Sequence, residues 1–393
     1  MQYELTEEQK MLKAAVRKLA EEQIAPGARE RDEKEEFSWE MVRLLRDGGY
    51  LGIDFPAEYG GGDAGMLAET IVVEELSRVD ASVGLLVADQ ALGALPIMLA
   101  GNKEVKDRFL PKLSTGEHLA AFALTETSGG SDVADFSCRA ERGSDGYIVN
   151  GNKIFVTNGG VAEVVTVYVV TDPEKGAYKG SSVLAVTKGT AGLSVGKHEV
   201  KIGIRSSDTV ELVFEDCHVP VGNLVGEEGR GFAISMKTLD FARPAIAAQA
   251  LGIAQGALDY CIGYAKERIV FGVPIIQHEG IGFKLADMCI LTEAARQLLY
   301  KTCSILQECP KDMTRLSPEQ IRYSSMCKTF ASDVAMNVTV EAVQVVGGFG
   351  YCRDYPLEQR MRDAKITQIY EGTNQILRNS IALEVLKRKG TRE

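Results

Sequence analysis

Apolar positions along this chain follow three successive rhythms. Up to about residue 117 they recur at helical spacing. Leu12, Ala15, Val16 and Leu19 follow Thr6-Glu7-Glu8-Gln9, a stretch that fits a capping box, and Pro26 is expected to close the run. A second helix is predicted around residues 38–46, stopping at Gly48-Gly49, and two more around 67–78 and 80–99. From 118 to 230 the pattern shortens into β-prone runs at 120–124, 147–149, 153–157, Val164–Val170, 183–187 and 210–214. Asp145-Gly146 and Asn150-Gly151 read as tight turns between strands, because Asn-Gly and Asp-Gly tolerate the positive φ such turns require. After Gly231 helical spacing returns at 232–267, 279–308, 318–346 and 374–388, with Pro244 expected to kink or restart the first of these. Residues 387–393 read as a charged, frayed tail. The pattern predicts an α+β multidomain protein. It has an N-terminal helical domain (1–117), a central antiparallel β domain (118–230) and a C-terminal four-helix bundle (231–393).

The bulk numbers narrow the function. A chain of 393 residues exceeds what one core usually serves, so two or three domains are expected. Its 45% hydrophobic and 25% charged composition is that of an ordinary soluble protein. The net charge of −11 argues against DNA or RNA as a main partner, though a small anion needs only a few local cations. The longest apolar stretches, such as Val164–Val170 and 245–248, read as too short to insert in a membrane. Residues 1–30 lack the cationic start and apolar run of a secretory signal, so a cytoplasmic location is expected. The eight cysteines form no CxxC pair and are expected to be buried free thiols. Cys217-His218 is an isolated neighbouring pair, and no metal is expected.

Several motifs bear on chemistry. Gly60-Gly61-Gly62-Asp63-Ala64-Gly65 matches a dinucleotide-binding glycine pattern, but Pro56 interrupts the approach and no βαβ unit surrounds it; a surface turn is the better reading. Residues 122–132 run from a strand into a loop of small polar residues, equally a ligand loop or an ordinary connection. Phe155 and Thr157 share one strand face, which suits either a core strand or a flat heteroaromatic ligand. Asp240 and Arg243 stand at i, i+3 on one helical face, either a surface ion pair or a polar recognition element. Residues 344–350 end a helix in glycines. Glu371, between Tyr370 and Gly372, is a carboxylate with small hydrogen-bonding residues just behind it, a placement that suits removal of a proton from a weak carbon acid.

Taken in order, these motifs resemble the acyl-CoA dehydrogenase family over essentially the whole chain. They include Leu124-Thr125-Glu126, Gly130-Ser131-Asp132, Lys201-Ile202-Gly203-Ile204-Arg205, Leu239-Asp240 with Arg243, Arg268 with Phe271-Gly272, and Met361-Arg362-Asp363-Ala364-Lys365 through Gln375. The short-chain, butyryl-CoA type is the nearest in look. The resemblance implies FAD held non-covalently between the β domain and the bundle. Phe122, Leu124, Thr125, Gly130 and Ser131 would line the flavin site, with Phe155 flanking the ring and Thr157 near its N5. Arg268, Phe271, Gln344, Gly347 and Gly348 would touch the FAD of a neighbouring subunit, and Thr373 and Gln375 would complete the shell. A homotetramer follows by resemblance.

The implied chemistry is α,β-dehydrogenation of an acyl-CoA thioester, with Glu371 as base and an electron-transfer flavoprotein as electron acceptor. Some relatives carry the base at the position of Ala242; here that position is alanine and Glu371 is kept. Ser131, Asp240, Arg243, Tyr370 and Gly372 match substrate-contact positions. Asp89 stands where relatives often have a neutral residue or histidine near the acyl pocket; it reads either as a pocket group suited to a cyclic or polar acyl chain or to a second proton-handling role, or equally as a partnered carboxylate outside the pocket. A short-chain or cyclic acyl group is favoured. Competing readings are an enoyl-CoA reductase running the same chemistry in reverse and a non-catalytic binding paralogue.

Overall fold

Helix α1 (Glu7–Leu19) opens the structure, a computed structural model describing residues 4–135, 137–308 and 316–389. The capping box forms as expected: Gln9 N donates to Thr6 Oγ1 at 3.2 Å, and Thr6 N donates to Gln9 Oε1 at 3.0 Å. Pro26 does not close the run. Ala20–Ile24 widens into a π turn, and Pro26 enters a 3₁₀ turn at its N-terminal end, where its missing N–H costs nothing. Helical backbone then resumes over Ala28–Lys34.

Four more helices complete the first unit: α2 (Trp39–Asp47), α3 (Met66–Ser77), α4 (Ala81–Ala100) and α5 (Lys103–Ser114). Asp80 caps α4 by accepting from Ser82 N and Val83 N. α5, capped by Asn102, was not anticipated; its charged composition blunts the apolar rhythm. Helix α4 corrects the membrane estimate. It is 20 residues long with mean hydropathy 1.8, long and apolar enough to cross a bilayer, but 78% of that window is buried inside the protein. The later helix Gly231–Glu267 meets the same test and is buried to the same share.

The middle of the chain forms an eight-stranded sheet. Its strands are β1 (Ala120–Ala123), β2 (Arg139–Arg142), β3 (Gly146–Thr157), β4 (Val164–Val170), β5 (Ser181–Thr187), β6 (Leu193–His198), β7 (Thr209–Pro220) and β8 (Leu224–Val225). The order is β6-β7-β3-β2-β4-β5-β8, with β1 also on β4. The expectation of an antiparallel sheet holds for most pairs, but β1 and part of β2 run parallel to β4. β2 and β6 were missed because both are mostly exposed and lack apolar alternation.

Asp145-Gly146 lies in the β2–β3 hairpin, where Gly143 N donates to Gly146 O at 2.8 Å. Asn150-Gly151 is not a turn. β3 runs straight through it, with a register shift between Val149 and Gly151 and φ of 138° at Gly151. The same backbone freedom that permits a turn here permits a bulge. Asn150 closes it across the strands: its Oδ1 accepts from Asp216 N at 2.8 Å, and its Nδ2 donates to Asp216 Oδ1 at 3.1 Å.

The last unit is helical. α6 (Gly231–Glu267) runs unbroken past Pro244, so the proline starts no new helix. α7 (Glu279–Gln307), α8 (Pro318–Val346), α9 (Leu357–Thr367) and α10 (Asn374–Lys389) follow. α8 packs along α6, α7, α9 and α10. Residues 390–393 of the expected frayed tail lie outside the described residues. Among the described cysteines, Cys138, Cys217, Cys261, Cys303 and Cys327 are buried free thiols, but Cys289 and Cys352 are exposed, correcting the uniform expectation. Cys309 lies outside the described residues.

Candidate active site

Glu371 sits in the connection 368–373 between α9 and α10. The connection is tied by Tyr370 N donating to Ile366 O at 3.1 Å and Asn374 N donating to Gln368 O at 3.0 Å. Its backbone is unusual. Glu371 has φ of 51° and Gly372 φ of 95°, two successive left-handed residues. For a glutamate that conformation costs roughly 1–3 kcal/mol and persists only where the surroundings impose it.

The surroundings here are two cations. From α6, Arg243 Nε donates to Glu371 O at 3.2 Å. From α8, Lys328 Nζ donates to Gly372 O at 2.7 Å and to Asn374 Oδ1 at 3.2 Å. Arg243 is itself paired with Asp240, both buried, so the surface-pair reading of Asp240–Arg243 is wrong. Asp240 is further fixed through its carbonyl, which accepts from Ser324 Oγ at 2.7 Å. Tyr370 donates to Gln249 Oε1, and Gln249 Nε2 donates to Ala81 O at 2.9 Å, which ties the connection to the start of α4.

These groups leave the Glu371 carboxyl in an unusual state. Its Oε2 is sealed from solvent with no hydrogen-bond partner among the described residues. Burial pushes its pKa up to about 7, against the pull of Arg243 and Lys328. Lys328 is brought down to about 7, chiefly by burial, with Glu371 opposing. Asp89, on α4, is buried 4% exposed with its Oδ2 unpartnered among the described residues. Burial, then the charges of Glu371 and Asp208, push it well above the ordinary carboxylate range. The Tyr370 phenol is raised by burial and by Glu371, so it stays a neutral donor.

The second part of the site is the loop after β1. Leu124 is buried, Thr125 partly so, and Gly130 and Ser131 are exposed. Phe122 lies against Tyr168, with ring centroids 5.0 Å apart. Beneath the loop is a buried pair that the sequence did not disclose. Lys153 Nζ donates to Glu126 Oε1 at 2.7 Å and to Leu124 O at 3.1 Å. Glu126 also accepts from Ser137 N at 2.7 Å, Ser137 Oγ at 3.0 Å and Cys138 N at 3.0 Å. Burial pushes the Glu126 carboxyl up, but Lys153 and these amides outweigh it and hold it below the ordinary range.

Phe155 is 60% exposed with φ of 56°, in the register shift between Lys153 and Val156. A bulge, not simple alternation, turns its ring outward. Thr157 ends β3. These residues fit FAD: an aromatic ring is left open beside a loop of small residues, and a Cβ added at Gly129 would meet nothing within 4 Å.

The remaining expected residues form a separate cluster. Arg268 and Gly348 line a groove of about 670 Å³ with Tyr264, His278 and Phe349. Phe271 is 92% exposed at the tip of the ribbon Ile269–Val270/Val273–Pro274. Gln344 and Gly347, neighbours of Gly348 in sequence, are exposed. Thr373 Oγ1 accepts from Ile376 N at 3.3 Å, as a cap for α10, and Gln375 is exposed. None of the residues lining the groove at Arg268 and Gly348 belongs to the loop after β1 or to β3. Sequence reading also missed Lys328 and Gln249. Lys328 carried a signal: it shares a helical face with Ser324, Ala331 and Ala335, all buried.

Comparison with known proteins agrees across the chain's length. Residues 6–117, 121–217 and 229–386 match the N-terminal, middle and C-terminal domains of acyl-CoA dehydrogenase, respectively. Cyclohex-1-ene-1-carbonyl-CoA dehydrogenase of Geobacter metallireducens is 47% identical over 376 residues, 95% of this chain and 97% of that protein. The structure of butyryl-CoA dehydrogenase from Megasphaera elsdenii is 42% identical with TM-score 0.93, covering 98% of this chain and 100% of that one. A chain in the structure described as "Electron transferring flavoprotein of Acidaminococcus fermentans" is 43% identical with TM-score 0.93, and each covers 100% of the other.

Proposed function

The chain belongs to the acyl-CoA dehydrogenase family of FAD-dependent oxidoreductases, and on that premise we propose that it dehydrogenates an acyl-CoA thioester at its α and β carbons with Glu371 as the base. The observation that carries this reading is the Glu371 carboxyl oxygen, sealed and unpartnered, on a backbone gripped from two helices. Such an oxygen has no competing partner to lose before it takes a proton. A pKa of about 7 matches it to work near neutral pH. Glu371 removes the α proton, and the β hydrogen departs as hydride. Bound flavin supplies the acceptor for that hydride. Arg243 and Lys328 keep the carboxylate aimed, and the sealed position of its Oε2 keeps water from solvating that oxygen.

Phe122, Leu124, Thr125, Gly130, Ser131, Phe155, Thr157, Thr373 and Gln375 hold the cofactor of their own chain. Arg268, Phe271, Gln344, Gly347 and Gly348 serve a neighbour's cofactor in a homotetramer, a reading supported by their separation into a second cluster. Ser131, Asp240, Arg243, Tyr370 and Gly372 position the thioester. The domain limits fall at 117/118 and 230/231, the location is cytoplasmic, and an electron-transfer flavoprotein takes the electrons.

The acyl group is short or cyclic. The likeness to butyryl-CoA dehydrogenase and to cyclohex-1-ene-1-carbonyl-CoA dehydrogenase supports this, and Asp89 places a buried carboxyl near Glu371. The test is anaerobic mixing of the flavin-loaded protein with butyryl-, cyclohexanoyl-, octanoyl- and palmitoyl-CoA while recording flavin bleaching. Bleaching by the first two and not by the last two is expected. No bleaching by any, with flavin bound, overturns the reading; reoxidation by enoyl-CoA products alone marks the reductase direction.

A further inference from the structure

The left-handed pair Glu371–Gly372 is held by two cations of different kinds. Arg243 already has a carboxylate partner in Asp240. Lys328 has none of its own at contact distance among the described residues. Among these, its ammonium, fully buried, donates to a carbonyl oxygen and an amide oxygen, those of Gly372 and Asn374. A lysine buried on neutral acceptors is costly unless a negative charge lies nearby to compensate it. The charged groups that face it are Glu371 and Asp333, with Arg243 opposing. Asp333 is engaged elsewhere, accepting from Gln368 Nε2 and Asn374 Nδ2 at 2.7 and 2.8 Å and from Arg378.

The remaining polar contacts lock the lysine in place. Asn374 Nδ2 donates to Ser332 Oγ at 2.8 Å, and Ser332 Oγ donates to Lys328 O at 2.8 Å. The anchor therefore closes a ring from α8 to the start of α10 and back. Loosening it frees Gly372, the residue next to the base.

We propose that Lys328 is a positioning residue for Glu371: it pins the left-handed 371–372 backbone through the Gly372 carbonyl, and its buried charge sets the pH at which the base ionises. This rests on the assignment of Glu371 as base. The groups that face Glu371 from the packed elements are Arg243 on α6, Lys328 on α8, and, through like-charge repulsion, Asp89 on α4 and Glu69 on α3, with the neutral Tyr370 beside it. Lys328 itself is brought down to about 7, so it is below that pH that its charge opposes the burial of Glu371; removing the charge there leaves fewer opponents, and Glu371 holds its proton to higher pH.

The test compares flavin-loaded wild type with Lys328→Met, Lys328→Gln and Lys328→Arg, and with Glu371→Gln in parallel. The readout is the rate of flavin reduction by the best acyl-CoA from pH 5.5 to 9.5. The acidic limb of the profile is expected to move up by about one unit or more in both neutral variants, as for loss of a nearby opposite charge. Lys328→Arg is expected to return the limb toward the wild-type position. Lys328→Gln keeps a donor for the Gly372 carbonyl and so separates anchoring from charge: its plateau rate is expected to lie above that of Lys328→Met. A limb unmoved in Met and Gln alike, with rates lowered equally at all pH values, is the signature of a merely structural lysine and overturns the inference. Full activity in Glu371→Gln instead overturns the base assignment on which it rests.

Discussion

Two buried lysine–glutamate neighbourhoods in this chain have opposite outcomes. In the sheet, Lys153 and Glu126 meet at 2.7 Å, and the carboxylate collects two backbone amides and a hydroxyl besides. Every oxygen is satisfied, and the acid is held ionised. In the bundle, Lys328 is turned onto carbonyl oxygens instead of the acid, and Glu371 keeps an oxygen with nothing to accept from. That acid is lifted to about 7. The same two residue types give a clamp in one place and a reactive group in the other. What differs is whether the cation touches the carboxylate or the backbone beside it. A direct pair makes the carboxylate a poor base; a displaced cation aims it and leaves its lone pairs open.

The largest test of this contrast is Glu371→Gln. It keeps the shape and removes the base, so flavin bleaching by the best acyl-CoA is expected to slow by about 10²–10⁴-fold with flavin content unchanged. Stopped-flow absorbance of the anaerobic mixture reads it. Bleaching at an undiminished rate would erase the functional half of the comparison.

The matching test in the sheet is Lys153→Met. Removing one partner of a buried pair strands the other charge, at about 3–5 kcal/mol. Reduced thermal stability and loss of flavin are expected, because Glu126 also holds the backbone at Ser137 and Cys138. The protein that does retain flavin is expected to bleach at close to the wild-type rate. A variant with normal stability and a slowed chemical step would mean that Lys153 belongs to the chemistry.

A finer test is the pH dependence of stability, where the two acids act with opposite sign. Glu371 holds its proton in the fold up to about pH 7, whereas an unfolded chain releases it near 4.5. Its contribution is fully present below pH 4.5 and is lost as pH rises toward 7. Asp363, lifted by burial to about 7, adds the same slope. Glu126 is shifted down, so its contribution is present above pH 4.5 and is lost as pH falls through its folded value. Melting temperatures of the holoenzyme between pH 4.5 and 7 are expected to fall less steeply in Glu371→Gln than in wild type. An identical slope would show that Glu371 titrates normally in the fold.

The contrast also explains what could be read in advance. Helix limits at 318–346 and 374–388 were legible because long apolar periodicity is written locally, and Thr6 announces its helix by a capping box. Glu371 was legible through its neighbours in sequence and a family resemblance. The Lys153–Glu126 pair was not, since its members lie 27 positions apart and meet only through strand pairing. Lys328 lies 44 positions from the carbonyl it holds. Asn150-Gly151 misled because the sequence specifies a permitted backbone conformation, whereas the pairing of β3 with β7 decides between turn and bulge.

Asp89 is the intermediate case, and it gives the smallest and sharpest test. Like Glu371 it has a sealed oxygen without a hydrogen-bond partner among the described residues, but its raised pKa is driven by burial and by two acids, with no cation among the causes. With burial and two acids all raising it, the carboxyl resists ionising. Asp89→Asn keeps size and a donor while removing the titrating proton. If the acid works only by its shape and hydrogen bond, the preferred acyl-CoA is expected to lose less than about 1 kcal/mol of transition-state stabilisation in kcat/KM. Asp89→Leu, which replaces the carboxyl by an apolar side chain, is expected to shift preference toward octanoyl-CoA, since a longer tail gains apolar contact there. A loss of about 10²-fold or more in Asp89→Asn, with flavin bound, would instead make Asp89 a second proton-handling group and place it beside Glu371 in the comparison.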